Sequence, residues 1–440
     1  MSVNQNIFPK TFEINNVGHI EIGGCDLVEL SKKYGTPLYI YDEKTIRDIC
    51  NDYKKAFSKY PDANPMFASK AFMTKAMAAI LKSEGFGLDV VSGGEIYTAN
   101  SVGFDMSKAL FNGNNKSYEE LVMALNVGVG RFSVDNFAEL EMLNGLCGQP
   151  KKIIDILLRI TPGIECHTHE YIQTGHLDSK FGFDLTQIDE AVSLIKNKYT
   201  NLNLKGLHAH LGSQIFETQV YHDAVQVALE QFRLIEDKFG IVLTELNIGG
   251  GLGITYTSED TPPSVAAIAD VIIASIEENA KKYNLELPKL YLEPGRSIVG
   301  TAGVTIYNVG SSKQVPEGRK YVALDGGMAD NPRPSMYQAK YTAMVANKAN
   351  APKEEIVTLA GRFCESGDII IENIELPKLE KGDTVCVFNT GAYGYSMSSN
   401  YNRVLKPAIV LVNSGQSDII VRRESYEELV AQDEIPARLL

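Results

Sequence analysis

Asn64-Pro65-Met66-Phe67-Ala68-Ser69-Lys70-Ala71 sets a short apolar run against a single lysine, and a helix-forming stretch, Met73 to Leu81, follows it. Read as strand and helix, these residues deliver an amine to the C-terminal tip of the strand. A lysine there is ordinarily a solvated cap. It gains chemical use when desolvated, because burial disfavours the charged form and exposes the nucleophilic free base. What separates the two readings is whether other reactive groups stand at equivalent strand ends.

Outward from this strand, short apolar runs alternate with longer helical segments. The runs are Met66–Ser69, Leu88–Val91, Ala109–Phe111, Arg131–Val134, Ile153–Ile160, Leu204–His210, Leu243–Ile248 and Leu290–Glu293. Helix-like segments such as Tyr118–Asn126, Phe137–Leu146, Tyr221–Phe239 and Val265–Tyr283 lie between them. Eight strands joined by helical crossovers predict an α/β fold, a closed (β/α)8 barrel over residues 44–298. An open doubly wound sheet is the alternative, since the sequence does not show closure. The stretch from Thr161 to Asp184 holds Gly163, Gly175, Gly182 and three histidines with little periodicity. A loop that long in a compact domain reads as a functional lid or a disordered segment, and the lid is the expectation for Cys166–His176. Its pair His167-Thr168-His169 reads as solvated loop histidines.

Beyond residue 298 the character changes. Val304–Val309, Tyr321–Leu324, Glu355–Leu359, Ile369–Ile371, Thr384–Asn389 and Ala408–Val412 are rich in Val, Ile and Thr, with Gly, Asp and Pro turns between them. They predict a second, C-terminal domain, residues 299–440, of β-sandwich or barrel-like kind, with short helical pieces such as Ser425–Gln432. Residues 1–43, with a strand at Pro37–Tyr41 and a short amphipathic helix, are expected to join it.

Composition narrows the class of function. The 440 residues are 44% hydrophobic and 22% charged, which suits a globular protein of more than one domain. A net charge of −13 disfavours nucleic acid and points to a small-molecule partner. No window has the apolar length of a membrane span. The first residues, Met1 to Asn6, carry neither a basic region nor an apolar core, so no secretion signal is expected. Cys25, Cys50, Cys147, Cys166, Cys364 and Cys386 are scattered without metal spacing and read as free thiols of a reducing cytoplasm.

Barrel chemistry sits at the C-terminal strand ends. Those ends carry Lys70, Asp89 with Ser92, Asn112, Arg159, His210 with Ser213, Gly249-Gly250-Gly251, and Glu293 with Arg296. The glycine turn after the seventh strand suits an oxyanion, because bare N–H groups can approach a phosphate closely; a plain tight turn is the duller reading. His208 and His210 lie on one strand with side chains on the same face. No acid or thiol follows them at metal spacing, so no metal is expected. His208 reads as a core histidine, whereas His210, nearer the tip, is placed to lie flat against a planar ligand. Glu293 reads either as half of an ion pair at a turn or as a carboxylate holding a proton on a ring nitrogen. Arg296 offers a forked partner to a carboxylate. Together, a lysine, a phosphate loop, a ring-stacking histidine and a carboxylate for a pyridinium describe pyridoxal 5'-phosphate held as a Schiff base.

Phe67-Ala68-Ser69-Lys70-Ala71, His208-Ala209-His210-Leu211-Gly212-Ser213-Gln214, Gly249-Gly250-Gly251 and Glu293-Pro294-Gly295-Arg296 resemble the alanine racemase-like, fold-type III pyridoxal phosphate enzymes. Within that group, from about Tyr39 to about Lys406, the chain resembles the diaminopimelate decarboxylase family. The resemblance implies decarboxylation of meso-2,6-diaminopimelate to L-lysine and carbon dioxide, the last step of lysine biosynthesis, by a cytoplasmic head-to-tail homodimer with shared active sites. It also implies the roles of individual residues. Lys70, His210 and Cys364 would be catalytic, with Cys364 entering from the other subunit to protonate the carbanion. Lys70, Asp89, His210, Ser213, Gly249, Gly250, Gly251, Glu293, Gly295, Arg296 and Tyr393 would hold the cofactor. Arg296, Arg333, Tyr337, Glu365 and Tyr393 would hold the substrate, from the segments Arg333-Pro334-Ser335-Met336-Tyr337, Gly361 to Asp368 and Gly391 to Tyr395. Related ornithine, arginine, D-amino-acid and carboxynorspermidine decarboxylases are expected to lack the Arg333/Tyr337 pair or to alter Cys364-Glu365. A racemase of this fold would set an arginine where Glu293 stands. A non-catalytic homologue would tend to lose Lys70 or Cys364.

Overall fold

The structure is a computed structural model that describes residues 2–148, 152–164 and 179–440. These form two compact units. The first comprises the N-terminal residues to Gln5, Arg47–Thr255 and Thr261–Ile298; the second comprises Asn6–Ile46, Tyr256–Asp260 and Val299–Leu440.

Eight strands organise the first unit: β1 (Ala63–Ala68), β2 (Gly87–Val90), β3 (Ala109–Phe111), β4 (Arg131–Val134), β5 (Ile154–Thr161), β6 (Leu202–Ala209), β7 (Glu245–Asn247) and β8 (Lys289–Leu292). Each pairs in parallel with the next, and β8 returns to β1 with Leu290 opposite Ala63. The sheet is therefore a closed barrel, and the open alternative is excluded. Strand and helix crossovers leave both faces of each strand covered, so the strands read as continuous apolar runs. Met66, Leu110, Leu157 and Tyr291 fill a buried layer inside it.

Local signals set the boundaries. The helix after β1 begins at Lys75 rather than Met73, because the Thr74 hydroxyl accepts the Met77 N–H at 3.1 Å. Ser92, noted among the strand-end groups, caps the helix Gly93–Asn100 in the same way. The segment Phe183–Asp184 adds in parallel to the end of β5, with Phe183 opposite Ile160. Residues Cys166–His176, where a lid was expected, and the pair His167/His169 lie outside the described residues.

The second unit is built on a nine-stranded mixed sheet among the described residues. Its central strand β9 (Gly303–Gln314) pairs antiparallel with Leu38–Asp42 through its first half and with β10 (Lys320–Leu324) through its second. Outward from β10 lie β12 (Glu355–Ala360) and β13 (Ile369–Leu376); β11 (Ala343–Val345) joins through β14 (Thr384–Val387). Beyond Leu38–Asp42 come β15 (Ala408–Asn413) and β16 (Gln416–Val421). The core Ile20, Ile22, Leu27, Leu38, Ile40, Val304, Ile306, Phe388 and Val410 is shared by the N-terminal residues and the C-terminal sheet, which is why they fold together. Two strands escape the sequence reading. β11 has three residues, and β16 is a largely exposed edge strand whose polar residues conceal its alternation.

Candidate active site

The C-terminal ends of the barrel strands converge on a cavity of about 340 Å³, a size typical of small-molecule sites. Lys70, Asn112, Lys116, Arg159, His208, His210 and Glu293 line it. β1 breaks after Ala68 into a single 3-10 turn, Ser69–Ala71, which carries Lys70 off the strand tip, half-buried. Gly295 packs against Ala68 and Ala71 beside that turn.

A polar network forms the floor. Asn112, just after β3, donates to Asp89 at 2.6 Å and to Glu293 at 3.1 Å. Asn247, the last residue of β7, donates to the same Glu293 oxygen at 2.7 Å. The other Glu293 oxygen stands 3.4 Å from His208 Nε2, and His208 Nδ1 bonds the Ser133 hydroxyl at 2.7 Å. Burial alone would raise the Glu293 pKa, but His208, His210 and Lys70 outweigh it and hold this carboxylate well below its ordinary range. Asp89 moves the other way. Its burial, and then the neighbouring Glu293 charge, push it up to about 7. Burial lowers the pKa of both imidazoles, His210 further than His208, with help from Lys70 and Arg159.

The glycine turn follows β7. Gly249 adopts φ +68°, and a Cβ on Gly250 would stand 2.1 Å from the Glu293 carbonyl oxygen. Side chains are excluded by the backbone there, and Gly251 continues the bare segment. The Gly250 N–H reaches His210 Nδ1 at 3.3 Å. Arg296, buried at the start of the turn of helix Arg296–Val299, donates from Nη2 to the Ser213 hydroxyl at 2.8 Å.

Among the described residues, Ser69 Oγ, Asp89 Oδ2, Asn112 Oδ1 and His208 Nε2 are buried without a hydrogen-bond partner. Buried polar atoms are normally satisfied. Asn112 and His208 line the cavity itself, and polar atoms left over there, beside a carboxylate held ionised and a side-chain-free turn, fit a polar heteroaromatic phosphate.

The second unit carries the remaining sequence-predicted residues. Arg333 opens the short helix Arg333–Tyr337 and is 7% exposed. Its Nη1 donates to the Tyr256 and Tyr341 hydroxyls, both at 2.9 Å, and among the described residues no carboxylate lies within ion-pairing reach. Tyr337 closes the same helix, half-buried, and Tyr393 is half-buried at φ +59°. Cys364 is exposed, with its N–H on Asn402 Oδ1 at 3.1 Å. The exposed Glu365 carboxylate accepts from the Tyr401 hydroxyl. Buried Asp368 accepts the Phe363 and Met328 N–H groups at 2.8 and 2.7 Å and so ties down the base of this loop.

Sequence reasoning missed several of these side chains. Asn247 had a usable signal, since it ends β7 where the other polar groups end theirs. Ser133, inside the β4 run, and Lys116, just ahead of the helix Tyr118–Val127, received no role from the sequence, yet both are buried. Tyr256 and Tyr341 are far apart in sequence, and only the fold brings their rings together beside Arg333.

Comparison with known proteins agrees with this geometry. The family described as "Pyridoxal-dependent decarboxylase, pyridoxal binding domain" matches residues 43–300. The chain is 48% identical over 422 residues to the diaminopimelate decarboxylase of Bacillus subtilis (strain 168), covering 95% of this chain and 96% of that one. It is also 48% identical to the diaminopimelate decarboxylase of Synechocystis, over all of this chain and 95% of the relative. The crystal structure of M. jannaschii diaminopimelate decarboxylase in co-complex with L-lysine superposes with a TM-score of 0.92 at 34% identity, covering 100% of both chains. The chain therefore belongs to the pyridoxal-dependent decarboxylases and, among them, to the diaminopimelate decarboxylase family.

Proposed function

We propose that this chain binds pyridoxal 5'-phosphate in the barrel cavity and decarboxylates meso-2,6-diaminopimelate at its D-centre, giving L-lysine and carbon dioxide. The observation that carries the choice of substrate is Arg333, a buried guanidinium with no carboxylate beside it among the described residues. A buried cation is costly until paired, so an acidic group on the substrate is its natural complement. Diaminopimelate brings such a group at the end remote from the reaction.

Lys70 would hold the cofactor's aldehyde carbon, and His210 would lie against its ring. Gly249, Gly250, Gly251 and Ser213 would receive its phosphate, with Gly295 and Arg296 beside them. Glu293, already ionised, would accept a hydrogen bond from a protonated ring nitrogen, with Asp89 next to it. When bound, pyridoxal phosphate supplies the electron sink for the pair left when a carboxylate departs. Arg296, Arg333, Tyr337 and Tyr393 would orient the distal carboxylate, and Glu365 the distal ammonium. The Cys364 thiol would then deliver its proton to the carbon that lost carbon dioxide. Its exposure on the single chain supports delivery to a site on a second copy, in a homodimer that shares its active sites.

Carbon dioxide release from meso-diaminopimelate, set against ornithine and lysine, tests the reading. Release from diaminopimelate alone is expected, because a substrate without the distal carboxylate leaves buried arginine unpaired. Faster release from ornithine would overturn it. Lys70→Ala should lose the visible absorption of the bound cofactor. Arg333→Ala should keep that absorption and lose most of kcat/KM; an unchanged value refutes the substrate assignment. If sites are shared, mixing Lys70→Ala with Cys364→Ala subunits should restore about a quarter of parental activity, since half of randomly paired dimers carry one intact site.

A further inference from the structure

Arg333 is held in an unusual way for a buried cation. Its Nη1 has two protons, and the Tyr256 and Tyr341 hydroxyls take them at the same distance, 2.9 Å. The guanidinium carbon lies 5.2 and 5.9 Å from the two ring centroids, and the rings meet edge to face at 88°. Neither tyrosine floats. The Tyr341 hydroxyl approaches Asn331 Oδ1 at 3.5 Å, the Tyr256 N–H is fixed by Asp260 at 2.9 Å, and the Thr342 hydroxyl donates to the Tyr256 carbonyl at 2.9 Å. The arginine's orientation is thus determined from behind.

The choice of acceptor matters. A carboxylate in the place of either hydroxyl would neutralise the guanidinium and compete with an incoming acid. A phenol orients the group and leaves its charge intact. With Nη1 fully used, Nη2 and Nε remain, which form the edge of a guanidinium that grips a carboxylate through two parallel hydrogen bonds.

We infer that Tyr256 and Tyr341 are positioning residues for substrate specificity: they aim the free Nε/Nη2 edge of Arg333 at the distal carboxylate. This rests on the reading of Arg333 given above. The pair sets affinity for ligands that carry that carboxylate and has no part in the bond-breaking step.

Tyr256→Phe and Tyr341→Phe, made separately, test the inference in the holoenzyme, since each keeps its ring and loses only the hydroxyl. Three quantities are read: the steady-state constants for meso-diaminopimelate, inhibition by L-lysine, and inhibition by cadaverine, which is lysine without its carboxylate. Each variant should raise KM and the lysine inhibition constant roughly tenfold, the effect of losing one hydrogen bond to a charged group. The value of kcat should stay within about twofold, and cadaverine inhibition should not change. A merely structural role would weaken lysine and cadaverine alike, and that result overturns the inference, as do unchanged constants for both variants. Should a variant be poorly folded, Arg333→Met provides the background. Adding either Tyr→Phe change to it should leave KM where Arg333→Met put it, and a further rise counts against the inference. If the unsubstituted enzyme fails to act on diaminopimelate, the proposed function itself falls. An active parent with indifferent tyrosine variants sinks only the positioning role.

Discussion

Replacing Lys116 with methionine tests how the wall of the barrel cavity is held. The ammonium stands 2.7 Å from Glu139 and 2.8 Å from each of the Gly113 and Ser133 carbonyls, so all three of its protons are used. The two charged side chains are 1% and 5% exposed. Methionine fills most of the same volume and removes all three bonds. Glu139 keeps the Asp135 N–H at 3.0 Å but loses its cation while remaining buried. Breaking one side of a buried pair costs about 3–5 kcal/mol. At about 2–4 °C per kcal/mol for a unit of this size, the barrel transition should fall by roughly 6–20 °C. Burial already raises the Glu139 pKa. Without Lys116 it can escape by taking up a proton, so the loss should be smaller at pH 5 than at pH 8. Lys116→Met with Glu139→Leu removes both charges and should recover most of the loss, because an apolar pair of similar volume can replace a buried ion pair. Scanning calorimetry of the three proteins at both pH values reads this directly. A drop under about 3 °C for the single variant, or a double variant no better than the single, would show that the pair is not what holds this wall.

Asp89 has a folded pKa raised from its ordinary value to about 7, so its protonated form favours the fold. That contribution is complete at acid pH and is lost as pH rises from about 4 to about 7. In cofactor-free protein, Asp89→Asn should therefore raise the melting temperature at pH 8 and change it little at pH 4; the opposite trend would contradict the burial argument. Gly250→Ala places a Cβ 2.1 Å from the Glu293 carbonyl, against backbone that has no room to give. It should abolish cofactor absorbance or prevent folding, and a soluble, cofactor-loaded variant would show that the turn is looser than its geometry. Among the described cysteines only Cys364 is exposed, while burial raises the pKa of Cys25, Cys50, Cys147 and Cys386. Iodoacetamide at pH 8 should modify Cys364 first and remove activity, with L-lysine slowing both; mass-spectrometric mapping to a buried cysteine would refute this.

Much of the site was legible before any coordinates because barrel chemistry is a matter of position along each strand. Lys70, Asn112, His210 and Glu293 each sit at or just past the last residue of an apolar run, where a polar group faces the mouth of a closed barrel, whereas Asp89 lies one residue inside the end of β2. Glu293 was legible as a carboxylate in a strand-end turn. That two amides grip it, and that Asn112 bridges it to Asp89, depends on strands that are neighbours only in space. His208 shows the limit of pattern reading. Its alternation marked it as a core residue, which it is, yet its ring faces Glu293 across 3.4 Å.

Local spacing determined the elements, because alternation, caps and glycine turns act over a few residues. It determined which polar groups stand at the strand ends too, because a strand presents its tip whatever surrounds it. Tertiary structure alone decided the rest: the return of β8 to β1, the buried Lys116–Glu139 pair and the two tyrosines behind Arg333. These join residues distant in sequence whose attraction becomes strong only after folding has removed the water between them, and no one-dimensional pattern records that event.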